Sequence, residues 1–527
     1  MTRHLSPSIT LALSVAALAL SGCGDRSDPS DPSATPTATA SAATGIAWRR
    51  GDVTDAFAEA QERGKPVLLY WGASWCPPCN QLKAGLFRNA DFIGRTRDVV
   101  PVYLDGDTLG AQAWGERFGI TGYPTLIVLR PDRSEVTRLS GTGDPVQVTA
   151  ALDAVHRGSA DIDTLLRRVR TTPGALSADD WALLAGYGGW YDPARKASAG
   201  AALGALADAA PDPRLQRQFL LQAQAVANED APPLPPERAA RLRAALATVL
   251  RDPAEVRANR AALTYGAVAL ARAAAPQDAA ARQRTGDAIV AALDPLFGDA
   301  KLVASERLAS TVAAVALFRD RAGEDAPVPA ALRTTVRDRA AWADRSVTDA
   351  YARQAVISTA AELLEEAGDA HGAQRLLTAE LKRSHTPYYY MPALAELAEA
   401  RGDRRQALDW LRRGYATAEG PASRVQWGVT YVEGLLRLSP DDRATIERAT
   451  GDVIGELAGQ PEGYRQRTRL RLEKLGKALA AWSVRHRGGE TLARLRAAGA
   501  QRCAGQRDPQ AAAACRDWLP AAGGTTV

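Results

Sequence analysis

Two cysteines in the segment Trp75-Cys76-Pro77-Pro78-Cys79 constrain the fold of this 527-residue chain more than any other feature. The run at 66–71 precedes them and is typical of a buried β-strand, because it is short, apolar and rich in strand formers. Pro77 predicts the start of a helix, since the first helical position needs no backbone N–H. The sequence therefore predicts a strand that leads both thiols into the first turn of a helix.

This position gives the two thiols different chemistry. Unpaired N–H groups and the helix dipole favour an anion at a helix N-terminus, which lowers the pKa of the Cys76 thiol. The thiolate is the reactive form, and Cys79, one turn further on, is expected to be the shielded, resolving thiol. Trp75 adjoins the nucleophile and is expected to line the site, whereas Trp71 and Trp114 are expected to be core residues. The pattern predicts a dithiol–disulfide couple.

A zinc half-site is the alternative interpretation of this pair. Zinc needs two further ligands at short spacing, and the remaining cysteines, Cys23, Cys503 and Cys515, form no second pair of this kind. The five histidines are scattered singly along the chain. The sequence therefore favours a redox pair and predicts neither a metal nor a cofactor.

Four segments resemble the thioredoxin superfamily, and within it the C-terminal domain of the thiol:disulfide interchange protein and related thioredoxin-like domains. They are Lys65–Leu69, Trp75–Cys79, Leu86–Phe92 and Gly122–Thr125. The resemblance implies an α/β thioredoxin-like domain over residues 45–158, with a central mixed sheet flanked by helices.

The same resemblance assigns roles to individual residues. Cys76 is implied to be the nucleophile, Cys79 the resolving thiol, and Pro124 a cis-proline that faces them. Tyr123 is then expected to pair with an extended substrate segment, a local form of strand addition. One position departs from the family, because thioredoxins carry a buried Asp six residues before the first cysteine, where this chain has Tyr70. The usual internal proton acceptor for Cys79 is therefore missing.

The N-terminus has the features of an export signal. The apolar run 9–20 is too short to span a membrane and is typical of a signal-peptide core. The sequence that follows resembles a bacterial lipobox, which implies a lipoprotein signal peptide over residues 1–22 and lipid attachment at Cys23. Plain secretion, with Cys23 as a free thiol, is the alternative.

Residues 23–44 contain almost no large apolar side chains and are expected to form a disordered tether. Lipid chains can hold a protein at a membrane without a transmembrane helix, so the expected location is the periplasm, at the inner or outer membrane. The positive charges are mostly Arg interleaved with Asp and Glu, which leaves no basic block for a phosphate backbone. Nucleic-acid binding is not expected.

From about residue 160, Ala, Leu and Arg recur at helical spacing. The tripeptide Ala-Glu-Leu occurs at 361–363 and again at 395–397, thirty-four residues later, which is the period of tetratricopeptide helix pairs. Residues 160–520 are therefore expected to form an all-α, tetratricopeptide-like solenoid. Its concave face is expected to bind protein, with packing alone as the alternative. The aromatic cluster Tyr388–Met391 could line a groove or belong to the core.

Cys503 and Cys515 flank a helix break at 505–509, and we expect a structural disulfide between them, since export permits one. A second redox pair is the weaker interpretation, because the spacing does not suit a dithiol at a helix start.

Together these features predict an extracytoplasmic thiol–disulfide oxidoreductase that acts on cysteines of exported proteins. Cys-Pro-Pro-Cys contains no His to hold a thiolate, which favours a reductase or interchange catalyst supplied with electrons by an unidentified redox partner. One alternative is a lipoprotein scaffold whose helical repeats bind proteins and whose thiol pair is structural. Another is an isomerase or holdase.

Overall fold

The structure is a computed structural model that describes residues 45–50, 52–108, 110–139, 145–227, 233–323, 325–458 and 460–520. The predicted signal peptide, tether and lipid-bearing Cys23 lie outside these residues and stay predictions. None of the helices in the described ranges is long and apolar enough to cross a membrane.

A four-stranded mixed sheet is the centre of the N-terminal α/β region. The strand order is β2-β1-β3-β4, and β1 pairs parallel with β2 and antiparallel with β3, which in turn pairs antiparallel with β4. The strands are β1 (Val67–Gly72), β2 (Val100–Asp105), β3 (Thr125–Leu129) and β4 (Glu135–Leu139). The helices are α1 (Val53–Arg63), α2 (Pro77–Ala84), α3 (Ala90–Arg95), α4 (Ala111–Arg117) and α5 (Pro145–His156).

Strand β1 is buried along its whole length because apolar clusters cover both faces of the sheet. Successive strand residues point to opposite faces. Leu68 and Tyr70 join the cluster that contains residues of α2, α3 and α5, whereas Val67, Leu69 and Trp71 join the cluster beneath α1 and α4. The predicted mixed sheet with flanking helices is confirmed.

The rest of the described chain is all-α, which confirms the predicted all-α region, while its tetratricopeptide-like character stays a prediction. Its helices are α6 (Ile162–Thr171), α7 (Ala178–Ala185), α8 (Pro193–Ala209), α9 (Pro213–Ala225), α10 (Pro236–Val249), α11 (Pro253–Ala258), α12 (Arg260–Tyr265), α13 (Ala267–Ala274), α14 (Ala279–Leu293), α15 (Ala309–Ala322), α16 (Ala330–Ser346), α17 (Ala350–Glu366), α18 (Ala370–Glu380), α19 (Met391–Ala400), α20 (Arg404–Thr417), α21 (Pro421–Leu438), α22 (Arg443–Glu456), α23 (Gln466–Arg485), α24 (Gly489–Cys503) and α25 (Pro509–Asp517). We call this part the helical region.

The thirty-four-residue sequence repeat corresponds to a repeated turn. Gly368 and Gly402 end α17 and α19 with φ values of 80° and 78°, in the left-handed region that favours glycine. Asp369 and Asp403 follow them, and each carboxylate accepts a hydrogen bond of 2.9 Å from the backbone N–H three residues on. This is the usual N-cap interaction of Asp, and it starts α18 and α20 in the same way.

The sheet and the helical region share one hydrophobic core. Leu139 of β4 pairs with Tyr187, and α5 packs against α7. The largest apolar cluster runs from Leu68 of the sheet to Ala313 of α15. The described residues from Gly45 onward form one compact unit, and the predicted domain boundary at 158–160 stays a prediction.

Candidate redox site

Strand β1 and helix α2 place the two cysteines at the edge of the sheet. The strand ends at Gly72, and α2 begins at Pro77, directly after Cys76. Cys76 is the N-cap residue, and its Sγ accepts a hydrogen bond from the backbone N–H of Cys79 at 3.3 Å. A disulfide joins Cys76 to Cys79, with 5.2 Å between their Cα atoms. The pair therefore occupies the first turn of the helix.

Tyr123 lies on the other side of Cys76. Its carbonyl oxygen is 3.6 Å from the Cys76 Sγ, and the peptide bond from Tyr123 to Pro124 is cis. The hydroxyl of Tyr123 accepts a hydrogen bond from Nε2 of Gln112 at 3.1 Å. Burial raises the pKa of Tyr123 to about 12, so the hydroxyl stays neutral at physiological pH. The loop of Tyr123 and Pro124 thus presents backbone, and no charge of its own, to the disulfide.

These contacts distinguish the two sulfur atoms. Once the disulfide is reduced, the N–H at the start of α2 points at the Cys76 sulfur and favours its charged form. Cys79 is fully buried against the same helix turn. The arrangement suits Cys76 as the attacking thiolate and Cys79 as the sulfur that closes the disulfide afterwards.

Tyr70 fills the position at which thioredoxins carry an acidic residue. Its side chain is buried, and its ring packs against Trp48, Phe87 and Tyr103 at centroid distances of 4.9–5.5 Å. Burial raises the pKa of the hydroxyl far above its usual range. Within the described part of the chain this hydroxyl makes no hydrogen bond. Tyr70 is therefore a neutral packing residue and provides no proton acceptor for Cys79.

Comparison with known proteins agrees with this geometry. A family model described as a thioredoxin-like domain matches residues 53–156. This part of the chain is a thioredoxin-like domain. The chain is similar to thioredoxin H2 of Arabidopsis thaliana, with 32% identity over 85 residues, which cover 16% of this chain and 59% of the plant protein. It is also similar to tryparedoxin of Trypanosoma brucei brucei, with 30% identity over 95 residues, covering 14% and 66% of the two chains.

The chain spans less than two thirds of the length of each of these relatives. The matches support a thiol–disulfide oxidoreductase fold with a redox-active cysteine pair.

The helical region covers the redox site of the thioredoxin-like domain. The relative exposure is 2% for Cys76, 0% for Cys79 and 7% for Trp75. The ring of Trp75 meets that of Trp427 edge to face at 5.2 Å and stacks on Tyr389 at 6.2 Å. Trp427 lies in α21, and Tyr389 lies in the short turn before α19, so both rings come from the helical region. One apolar cluster therefore includes the two cysteines and aromatic residues of the helical region.

Polar contacts complete this interface. Nε2 of Gln354 donates to the carbonyl oxygen of Trp75 at 3.0 Å and to the hydroxyl of Thr386 at 2.7 Å. Nε1 of Trp427 donates to the carbonyl oxygen of Tyr388 at 2.8 Å. The guanidinium of Arg467 lies over the rings of Trp75 and Tyr123, at 4.9 and 5.3 Å from their centroids. The five residues of the helical region that contact or adjoin the site are called the cover below: Gln354, Tyr388, Tyr389, Trp427 and Arg467.

Sequence reasoning identified only part of the cover. The aromatic cluster Tyr388–Met391 stands out in the sequence, and the structure places Tyr388 and Tyr389 against the redox site, whereas Tyr390 and Met391 are buried in the helical region. Gln354, Trp427 and Arg467 carry no local signal, because their contacts join residues hundreds of positions apart. Trp75 lines the site, and Trp71 and Trp114 pack in the core.

The remaining cysteines of the described chain form a second disulfide. Cys503 at the end of α24 is joined to Cys515 in α25, with 5.7 Å between their Cα atoms. In the described ranges, no group of three or more His, Cys, Asp or Glu side chains is placed to hold a metal ion.

Proposed function

We propose that this chain is an extracytoplasmic, lipid-anchored thiol–disulfide oxidoreductase that exchanges its Cys76–Cys79 couple with cysteines of exported proteins. The proposal rests on one observation above all: Cys76 caps α2, beside the backbone of Tyr123, inside a thioredoxin-like domain. The lipobox-like sequence at Cys23 supports the anchor and the periplasmic location. The repeated turns of the helical region support a tetratricopeptide-like array that holds protein partners.

The chemistry proceeds in two exchange steps. The Cys76 thiolate attacks one sulfur of a substrate disulfide, so that a new S–S bond forms while the second substrate sulfur leaves as a thiolate. The Cys79 thiolate then attacks the Cys76 sulfur, which releases the first substrate sulfur and closes the Cys76–Cys79 disulfide. The substrate gains two electrons and two protons, and the protein loses them. An unidentified redox partner restores the dithiol, which makes the chain a reductase or interchange catalyst.

Trapping the intermediate tests this proposal. In Cys79→Ser, the mixed disulfide at Cys76 has no resolving thiol, so client proteins are expected to stay covalently bound and to be released by dithiothreitol. Cys76→Ser is the matched control and is expected to trap none. A Cys79→Ser variant that retains no more protein than Cys76→Ser would contradict the proposal, because no mixed disulfide would then form at Cys76.

A structural thiol pair in a lipoprotein scaffold is the second candidate, because it requires no access to the two buried sulfur atoms. The two candidates differ in what depends on the cysteines. The enzyme requires a reversible Cys76–Cys79 couple and loses activity in Cys76→Ser. The scaffold keeps its partner binding in that variant.

A further inference from the structure

We propose that the cover occupies the surface on which the thioredoxin-like domain receives its substrate, so that a substrate disulfide has to displace these residues before Cys76 reacts. This inference rests on the proposed function, and it adds a step that precedes the chemistry. It also indicates which kind of substrate can carry out that step.

The sulfur atoms of Cys76 and Cys79 are inaccessible in this structure. Exchange needs direct contact between a thiolate and a disulfide sulfur. In this structure Ser74 and Pro78, on either side of Cys76, are exposed to solvent, whereas Cys76 and Cys79 are buried. The active-site loop therefore reaches the surface, and it is the sulfur atoms themselves that the helical region encloses. A protein substrate cannot bring a cystine to Cys76 in this arrangement.

The cover contacts the residues that lie next to the nucleophile. Gln354 donates to the carbonyl oxygen of Trp75, the residue before Cys76. Trp427 and Tyr389 pack on the indole of Trp75, and Arg467 lies over Trp75 and Tyr123 together. An extended substrate segment bound beside Cys76 would need the same apolar surface. The cover and the substrate therefore compete for one surface.

Polar contacts link the edges of the cover to the thioredoxin-like domain. The carboxylate of Asp107 accepts hydrogen bonds from the backbone N–H and the hydroxyl of Ser423, at 2.6 and 2.7 Å. Glu116 of α4 pairs with Arg469 of α23 at 3.2 Å. The apolar cluster that joins the sheet to the helical region ends at α15, so the cover, later in the chain, lies outside this shared core. Polar contacts between parts of one chain resemble reversible protein–protein interfaces, and we therefore expect local movement of the cover while the shared core stays in place.

The chemistry of the cover defines the substrate class. Two of the side chains that leave the surface of Trp75, those of Tyr389 and Trp427, are aromatic, and Trp75 would otherwise present its ring to water. A segment that carries apolar or aromatic side chains around its cystine restores that burial, whereas a strongly charged segment does not. The geometry thus points to extended, apolar cystine segments, such as those that unfolded or wrongly oxidised proteins expose.

Alkylation of reduced full-length protein with two reagents tests the inference. Iodoacetamide is small, and a maleimide carried on a protein-sized polymer is bulky; mass spectrometry of the Cys76 peptide gives both rates. In wild type we expect the ratio of bulky to small rate to be low. Trp427→Ala removes the edge contact to Trp75 and is expected to raise this ratio by about tenfold, which corresponds to a free-energy change of about 1.4 kcal/mol.

Two further variants separate opening from damage to the aromatic cluster. Ser423→Glu places a carboxylate against Asp107 without removing a ring that contacts Trp75, and is expected to raise the ratio as Trp427→Ala does. Ser423→Ala keeps the backbone hydrogen bond to Asp107 and is expected to change it little. Trp410→Ala is the matched control on α20, because Trp410 packs within the helical region. Circular dichroism of each variant establishes that the fold is intact.

The possible outcomes distinguish the two proposals. If wild type shows the same rate ratio as Trp427→Ala and Ser423→Glu, the cover is no barrier and the inference is wrong, while the proposed function stands. If Cys76 reacts with iodoacetamide only as fast as a peptide thiol in every variant, the proposed function is wrong. The rate ratio still decides whether the cover excludes large molecules in that case.

Discussion

The two disulfides of this chain lie in one compact unit but in different surroundings. Cys76 and Cys79 are three positions apart at the first turn of α2, where a backbone N–H points at the Cys76 sulfur. Cys503 and Cys515 are twelve positions apart and tie α24 to α25, with Cys515 packed among apolar side chains that include Trp518. Cys515 is as buried as Cys76, so burial alone does not separate a redox disulfide from a structural one. The two kinds of disulfide are distinguished by the position of the sulfur relative to the start of a helix.

The physical consequences of the two positions differ. At a helix start, reduction yields a thiolate that the helix stabilises, so the reduced state is favoured. Between two helices, reduction frees a loop whose closure entropy the bond had removed. The first disulfide should therefore govern chemistry, and the second should govern stability.

The largest expected effect is on activity. Cys76→Ser removes the nucleophile and should reduce the rate of protein-disulfide reduction, with dithiothreitol as the electron donor, to the rate with dithiothreitol alone. The double variant Cys503→Ser and Cys515→Ser is the control and should retain the wild-type rate within about twofold. A large loss of activity in that control would show that the Cys503–Cys515 disulfide is also needed for catalysis, which contradicts a purely structural role.

The next largest effect is on stability. The double variant Cys503→Ser and Cys515→Ser should lower the unfolding free energy of the C-terminal helices by about 3 kcal/mol, the loop-entropy value for a loop of this length. Urea denaturation followed by hydrogen exchange in α24 and α25 measures it. Cys76→Ser should cost less, because the loop between Cys76 and Cys79 is shorter. Equal losses would show that both bonds are structural.

A smaller effect concerns ease of reduction. With increasing reductant, Cys76–Cys79 should open before Cys503–Cys515, with midpoint potentials at least about 30 mV apart, which is a tenfold difference in equilibrium constant. Differential alkylation and peptide mass spectrometry follow each pair separately. Simultaneous reduction of both pairs would contradict the stabilised thiolate at Cys76.

The smallest effect is a pH dependence at the edge of the cover. Burial raises the pKa of Asp107, and the hydrogen bonds from Ser423 offset only part of this. Since the folded protein holds this proton more tightly than the unfolded chain, the contribution of Asp107 to stability is present at low pH and is lost as pH rises through the raised pKa.

Asp107→Asn should therefore stabilise the protein at neutral pH by about 1 kcal/mol or less, and the gain should vanish in acid. Urea denaturation at pH values on both sides of the Asp range measures the difference. A gain that is the same at every pH would mean that the charge of Asp107 is not its source. No such dependence is expected at Cys503–Cys515.

The local part of the redox site could be predicted from the sequence. The strand signal at 66–71 and Pro77 place β1 and the start of α2 within one residue of the structure, because strand patterning and the helix start depend on neighbouring residues. The departure at Tyr70 was also visible, and the structure shows why the residue is tolerated: its ring packs in an aromatic cluster beneath the sheet.

The cover could not be predicted in the same way. The periodicity of the sequence predicts helices in this region, but it does not say which surface each helix packs against. Gln354 and Trp427 are ordinary helical residues until the chain folds back onto Trp75. Gly368 and Gly402 end α17 and α19 with the same turn, yet nothing in the thirty-four-residue sequence repeat indicates that residues of this region enclose the redox site.

The hydrogen bond from Gln354 to Trp75 spans 279 residues, and this separation has a consequence during synthesis. A chain grows from its N-terminus at roughly 5–20 residues per second, so Trp75 is made tens of seconds before Gln354. Throughout that interval the nascent chain contains Cys76 but not yet the residues of the cover. During this time the two cysteines are accessible to any oxidant or thiol in their surroundings. They become buried only when the later part of the chain has been synthesised and has folded onto them.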